Sequence, residues 1–100
     1  MKTAFVYGIS LIDNEEIIYV GSTWDFKKRT QYHKSNCVAE HRKEYNYNLY
    51  KYIRTIDGMF DKIKINILEE FECETRRDRE KKEQEYIDKY GLDNLYNDRD

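Results

Sequence analysis

The sequence predicts an α+β fold: a small three-stranded antiparallel sheet flanked by three helices, in the order β-β-α-α-β-α. Three observations carry this reading. Residues 4–11 and 17–22 are rich in β-formers and are separated by the turn signal Asp13-Asn14-Glu15. Ile63, Ile65 and Ile67 alternate with Lys64, Asn66 and Leu68, the period of a strand with one apolar face. Helical spacing recurs twice, in Leu49, Tyr52 and Ile53 and again in Glu83, Ile87 and Tyr90.

The elements follow in chain order. The first two strands make an antiparallel hairpin. A three-residue loop would set Tyr7 opposite Gly21 and Tyr19 opposite Ile9, leaving the tyrosines diagonal on one face, roughly 7–8 Å apart at Cα. A two-residue Asp13-Asn14 turn would put them on opposite faces instead. Asp25 is an N-cap for a helix from Phe26 to His33 or Lys34. Residues 35–45 show no clear period and read as a loop. A second helix starts at Asn46 or Asn48 and runs to about Thr55, with Asp57-Gly58 behind it. The third strand follows. Thr75 caps a long helix that Gly91 stops near Tyr90. The tail 92–97 reads as a return across the domain.

A hundred residues is the size of one domain, here taken as 1–100. The hydrophobic share is 39%, so the core must be small and lean on Ile, Val, Phe and ten Tyr. Disorder is not expected, because the net charge is only −2 and aromatics reach 15%. Cys37 and Cys73 have no nearby Cys partner and read as ordinary thiols of a reducing compartment. No apolar run approaches the roughly 20 residues of a membrane span, and the start lacks the apolar core of a secretion signal. An intracellular protein is expected. Net charge argues mildly against a nucleic-acid partner, but its distribution permits one: Lys27, Lys28, Arg29 and Lys34 cluster against a single acid.

Three groups of residues could do chemistry. Glu83 shares a helix face with Ile87 and Tyr90, so it sits on or beside the buried stripe. A carboxylate there must pair, for instance with Arg79 or Lys82, or hold a cation. Tyr7 and Tyr19 are either core aromatics or a facing pair of phenols. Arg29 and His33 are one helical turn apart; the former suits phosphate oxygens and the latter proton movement near neutral pH.

Together these residues resemble the GIY-YIG endonuclease family. The resemblance starts with Val6-Tyr7, followed after eleven residues by Tyr19-Val20-Gly21-Ser22. It continues through 25–33, the family's Arg-containing first helix, then 49–54 and the third strand at 63–70. Glu83-Gln84-Glu85-Tyr86-Ile87 matches the segment carrying the metal ligand, and Asn97 stands where the family has a closing Asn. One departure is plain: Phe5 fills a slot that is usually Gly, on the same strand face as Tyr7, where it could narrow a substrate cleft. His41 aligns too poorly to carry over a role.

The resemblance implies a metal-dependent DNA endonuclease. Glu83 would hold one divalent cation, Mg²⁺ or Mn²⁺, and Arg29 would stabilise charge on the phosphoryl oxygens. Tyr7 would activate the attacking water with His33 accepting its proton. Tyr19 would position water or phosphate, Asn97 would brace the pocket, and Lys27 and Lys28 would contact the backbone without reading sequence. A double-strand cut would need a homodimer or two visits. The alternative is a nucleic-acid-binding module that keeps the fold without activity.

Overall fold

The computed structural model describes residues 1–13, 15–91 and 95–97. Its central strand is β1 (Lys2–Leu11), paired antiparallel on one side with β2 (Ile17–Thr23) and on the other with β3 (Ile63–Cys73). Helices α1 (Phe26–Val38) and α2 (Asn48–Arg54) lie between β2 and β3 in sequence, and α3 (Arg76–Tyr90) follows β3. The expected order of strands and helices therefore holds. Short 3-10 turns at Lys43–Asn46 and Met59–Lys62 flank α2.

As the middle strand, β1 is covered on both faces, which is why its burial does not alternate. Tyr7 and Ile9 pack with Ile18, Leu49, Ile53 and Ile63 on the side of α1 and α2. Val6 packs with Val20, Ile87 and Leu95 under α3. The hairpin keeps Tyr7 opposite Gly21 and Ile9 opposite Tyr19, the first of the two registers weighed above. A bulge then slips the pairing between Ile9 and Ser10, so that Ser10 meets Ile17. The bulge lets Ile18 join the Tyr7 side of the core while Ile17 packs with the other cluster. Asn14, within the predicted turn, lies outside the described residues, as do residues 92–94 of the predicted return.

Two expectations need correction. Helix α1 runs past Lys34 to Val38, and the predicted loop 35–45 holds its last turns and a 3-10 turn. The helical period is present there, but it is carried by His33, Asn36 and Cys37, which are buried. A search for apolar stripes passes over such a face. The strand β3 also extends to Cys73, beyond the expected Glu70. A bulge opposite Val6 and Tyr7 breaks its alternation, leaving Ile67 exposed at 46% while Leu68 and Phe71 pack toward α3. The single apolar face expected of β3 is thus split between two sides.

The caps follow the sequence. Asp25 accepts from the Lys28 backbone N–H at 2.9 Å, and Thr75 accepts from that of Asp78 at 3.1 Å. Gly91 closes α3 with φ 86°, the left-handed region that favours glycine. Both cysteines are buried free thiols. Among the described residues no helix is long and apolar enough to cross a membrane.

Candidate active site

The cap at Asp25 fixes the start of α1, and one and two turns later Arg29 and His33 face the sheet. His33 is only 2% exposed and bridges two phenols. Its Nε2 lies 2.6 Å from the Tyr7 hydroxyl and its Nδ1 lies 2.8 Å from that of Tyr50. Burial, with the Arg29 charge adding to it, lowers the His33 pKa to about 3, so the ring is neutral. The Tyr7 phenol is pushed well above its usual value by burial and then by Tyr19. Burial, followed by Glu83, also raises Tyr19, and burial pushes Tyr50 up to about 12.

Gly21 makes room for the tyrosine pair. A Cβ built there would lie 2.5 Å from Tyr7 Cζ, overlap the hydroxyl, and stand 3.0 Å from Tyr19 Cε1. The two rings are 6.3 Å apart between centroids. Gly21→Ala must therefore move Tyr7 off His33. We expect a loss of about 1–3 kcal/mol, the usual scale of overpacking, read as a lower urea midpoint. An unchanged midpoint would show that the ring has space to spare.

Helix α3 brings its acid to the same place. Arg79, Glu83 and Ile87 share its inward face. The Ser22 hydroxyl donates to Glu83 Oε1 at 2.7 Å, while Arg79 Nε donates to Ser22 Oγ at 3.1 Å. A serine hydroxyl thus links Arg79 to Glu83, two residues that the sequence allowed to pair. Arg79 is 8% exposed and its guanidinium carbon lies 5.2 Å from the Trp24 ring centre.

Asn97 closes the arrangement from the tail. Its Nδ2 donates to the Val20 carbonyl at 2.6 Å and its Oδ1 accepts from the Val20 N–H at 3.1 Å. Tyr96 N–H donates to the Ile18 carbonyl at 2.6 Å. The tail thereby bonds Ile18 and Val20 on the outer edge of β2, which no strand among the described residues covers.

These groups surround a cleft of about 360 Å³. Tyr19, Arg29, His33, Glu83 and Asn97 all line it, together with Tyr50. Tyr7 is 1% exposed and stands behind this wall, in contact with His33. It was expected to meet the attacking water itself; the structure shields it. Lys27 and Lys28 are exposed on the outside of α1, and Lys28 borders a neighbouring hollow that Arg29 and Tyr32 share. Phe5 does share the Tyr7 face, but its ring packs toward Phe26 at 6.4 Å and it does not line the cleft. His41 is exposed.

Sequence reasoning missed Tyr50, Asn36 and the Ser22–Arg79 link. Tyr50 is buried beside Leu49 and Ile53 on α2, whereas the apolar stripe had pointed to Tyr52. Ser22 lay inside the quoted Tyr19–Ser22 segment, but nothing in spacing says that its hydroxyl meets an acid sixty-one residues on.

Fold and cleft together define an α+β catalytic domain of the GIY-YIG type, and residues 3–97 match the family model described as the GIY-YIG catalytic domain. The chain belongs to the GIY-YIG nuclease family. A solved structure, the catalytic domain of the homing endonuclease I-TevI, shares this fold with a TM-score of 0.76 and 23% identity, over 97% of this chain and 99% of that one. No curated protein matches the chain.

Proposed function

We propose that this chain is a DNA endonuclease that hydrolyses phosphodiester bonds with the help of one divalent cation, Mg²⁺ or Mn²⁺. The observation that carries the reading is the cleft itself, where Tyr19, Arg29, His33, Glu83 and Asn97 converge with Tyr7 bonded behind. Among the described residues no group of three or more metal-ligating side chains occurs. A single carboxylate ligand suits an ion that keeps waters and takes substrate phosphate as a further ligand, and Glu83, on the cleft wall, fits as that protein ligand. When bound, the cation supplies Lewis-acid neutralisation of charge at the scissile phosphate.

The chain's own groups do the rest. Arg29 grips non-bridging phosphate oxygens, where a guanidinium can make two hydrogen bonds at once. Tyr19, whose side chain borders the cleft, orients the attacking water. Tyr7 links Tyr19 to His33, and the neutral imidazole accepts the proton as negative charge gathers on the phosphate and favours a cation nearby. Asn97 holds β2, and with it Tyr19, against the tail. Lys27 and Lys28 extend phosphate contact beyond the cleft, positioning the duplex without reading its bases. The buried thiols suit a reducing compartment, and we place the protein inside the cell.

Supercoiled plasmid incubated with Mg²⁺ and, in parallel, with EDTA tests this. Cutting with Mg²⁺ alone is expected, with nicked circles accumulating before linear DNA, because one cleft per chain needs a second copy or a second visit for the other strand. Retarded but uncut plasmid in Mg²⁺ would replace the enzyme with a binding module on the same fold.

A further inference from the structure

We propose that Tyr50, held by Asn36 and Arg42, is a positioning residue that fixes the tautomer of His33, with the proton on Nδ1 and Nε2 left as the base facing Tyr7. This deepens the nuclease reading above and rests on it for its effect on rate, though not for the tautomer itself.

The chain of contacts runs inward from Arg42. A guanidinium can only donate, and Arg42 Nη1 lies 3.0 Å from Asn36 Oδ1. The Asn36 amide is thereby turned so that its Nδ2 faces Tyr50 and donates to the hydroxyl at 3.4 Å. Asn36 is fully buried, so this orientation has no solvent alternative. The Tyr50 ring is held as well, stacked on Tyr47 at 6.3 Å and tilted against His33 at 5.9 Å.

A neutral imidazole has one donor and one acceptor nitrogen. Hydroxyl donors make the shorter hydrogen bonds, around 2.7–2.8 Å to oxygen against about 2.9–3.0 Å for N–H donors. The 2.6 Å contact at Nε2 is the shorter of the two and suits Tyr7 as donor; a neutral imidazole then carries its proton on Nδ1 and donates across 2.8 Å to Tyr50. The Tyr50 oxygen then accepts from both His33 and Asn36. Its own proton turns to the cleft, which Tyr50 lines. Among the described residues no buried side-chain polar atom is left without a hydrogen-bond partner. A nucleophile-side phenol, a base and an orienting group behind the base follow the logic of catalytic triads. Here the orienting group is a neutral hydroxyl.

The test is the ¹⁵N spectrum of His33 in the full chain at neutral pH, read beside cleavage kinetics. In the wild type Nδ1 should show the protonated-nitrogen shift and Nε2 the unprotonated one. In Tyr50→Phe, which keeps the ring and removes only the oxygen, the pattern should shift toward the other tautomer, and kcat should fall about 10–100-fold with KM little changed. A wild-type spectrum with the proton on Nε2 overturns the proposal, even if the variant fails to fold. So does a Tyr50→Phe protein with an unaltered spectrum. If the wild type cuts no DNA, the nuclease reading fails, while the spectrum still decides the tautomer.

Discussion

Glu83→Gln is expected to lower the rate of plasmid nicking in saturating Mg²⁺ by about 10²–10³-fold, the scale seen when one group stabilising transition-state charge is removed. The substitution separates charge from structure. A glutamine carbonyl can still accept from the Ser22 hydroxyl, which now donates to Glu83 Oε1 at 2.7 Å, so the thermal midpoint should move little. Glu83→Ala removes the acceptor as well. The Ser22 hydroxyl, to which the buried Arg79 donates, would then lose its acceptor, at a cost of about 1–3 kcal/mol. Nicking rates over a Mg²⁺ titration, with thermal melts of both variants, make the comparison. A Gln variant that cuts as fast as the wild type would remove the metal role from Glu83. Loss of rate in proportion to loss of midpoint would make the residue structural.

The fold was legible wherever burial and sequence period agree. Strand β1 followed from its β-formers and α3 from its cap at Thr75 and stop at Gly91, while the Tyr7–Gly21 register was one of two that the turn allowed. Legibility failed where the buried face is polar. Helix α1 was cut short because its inward residues, His33, Asn36 and Cys37, carry no apolar signal, although they are the face that builds the site. It failed again at β3, where a bulge redirects side chains that strict alternation assigns to one side. The site divides in the same way. Tyr7, Tyr19, Arg29, His33 and Glu83 stood out by spacing, the family resemblance drew them together and added Asn97, and the meeting of all but the shielded Tyr7 around one cleft is a matter of tertiary structure. The Tyr50 and Ser22 hydroxyls meet His33 and Glu83, 17 and 61 positions away, through hydrogen bonds. No local pattern encodes such a pairing.

The buried imidazole also sets how the domain should respond to acid. His33 holds its proton only below about pH 3 when folded, against about 6.5 when unfolded. Above pH 6.5 neither state is protonated and the full stability is present. Between the two values the unfolded state binds the extra proton, so stability falls as pH falls, by about 1.4 kcal/mol per pH unit once the unfolded imidazole is mostly charged. Across the window the loss is on the order of 4–5 kcal/mol, a large share of the 5–15 kcal/mol typical of a domain. Carboxylates complicate the lower half, since they begin to protonate near pH 4.3, so the informative interval is pH 6 to 5. Urea unfolding across that interval should show a steep dependence in the wild type and a much flatter one in His33→Gln, whatever the variant's stability at pH 7. Equal slopes would mean that the folded protein admits the charge. An imidazole that readily ionises in place would undo the picture of a neutral ring wedged between two phenols, on which both the proton path and the role of Tyr50 depend.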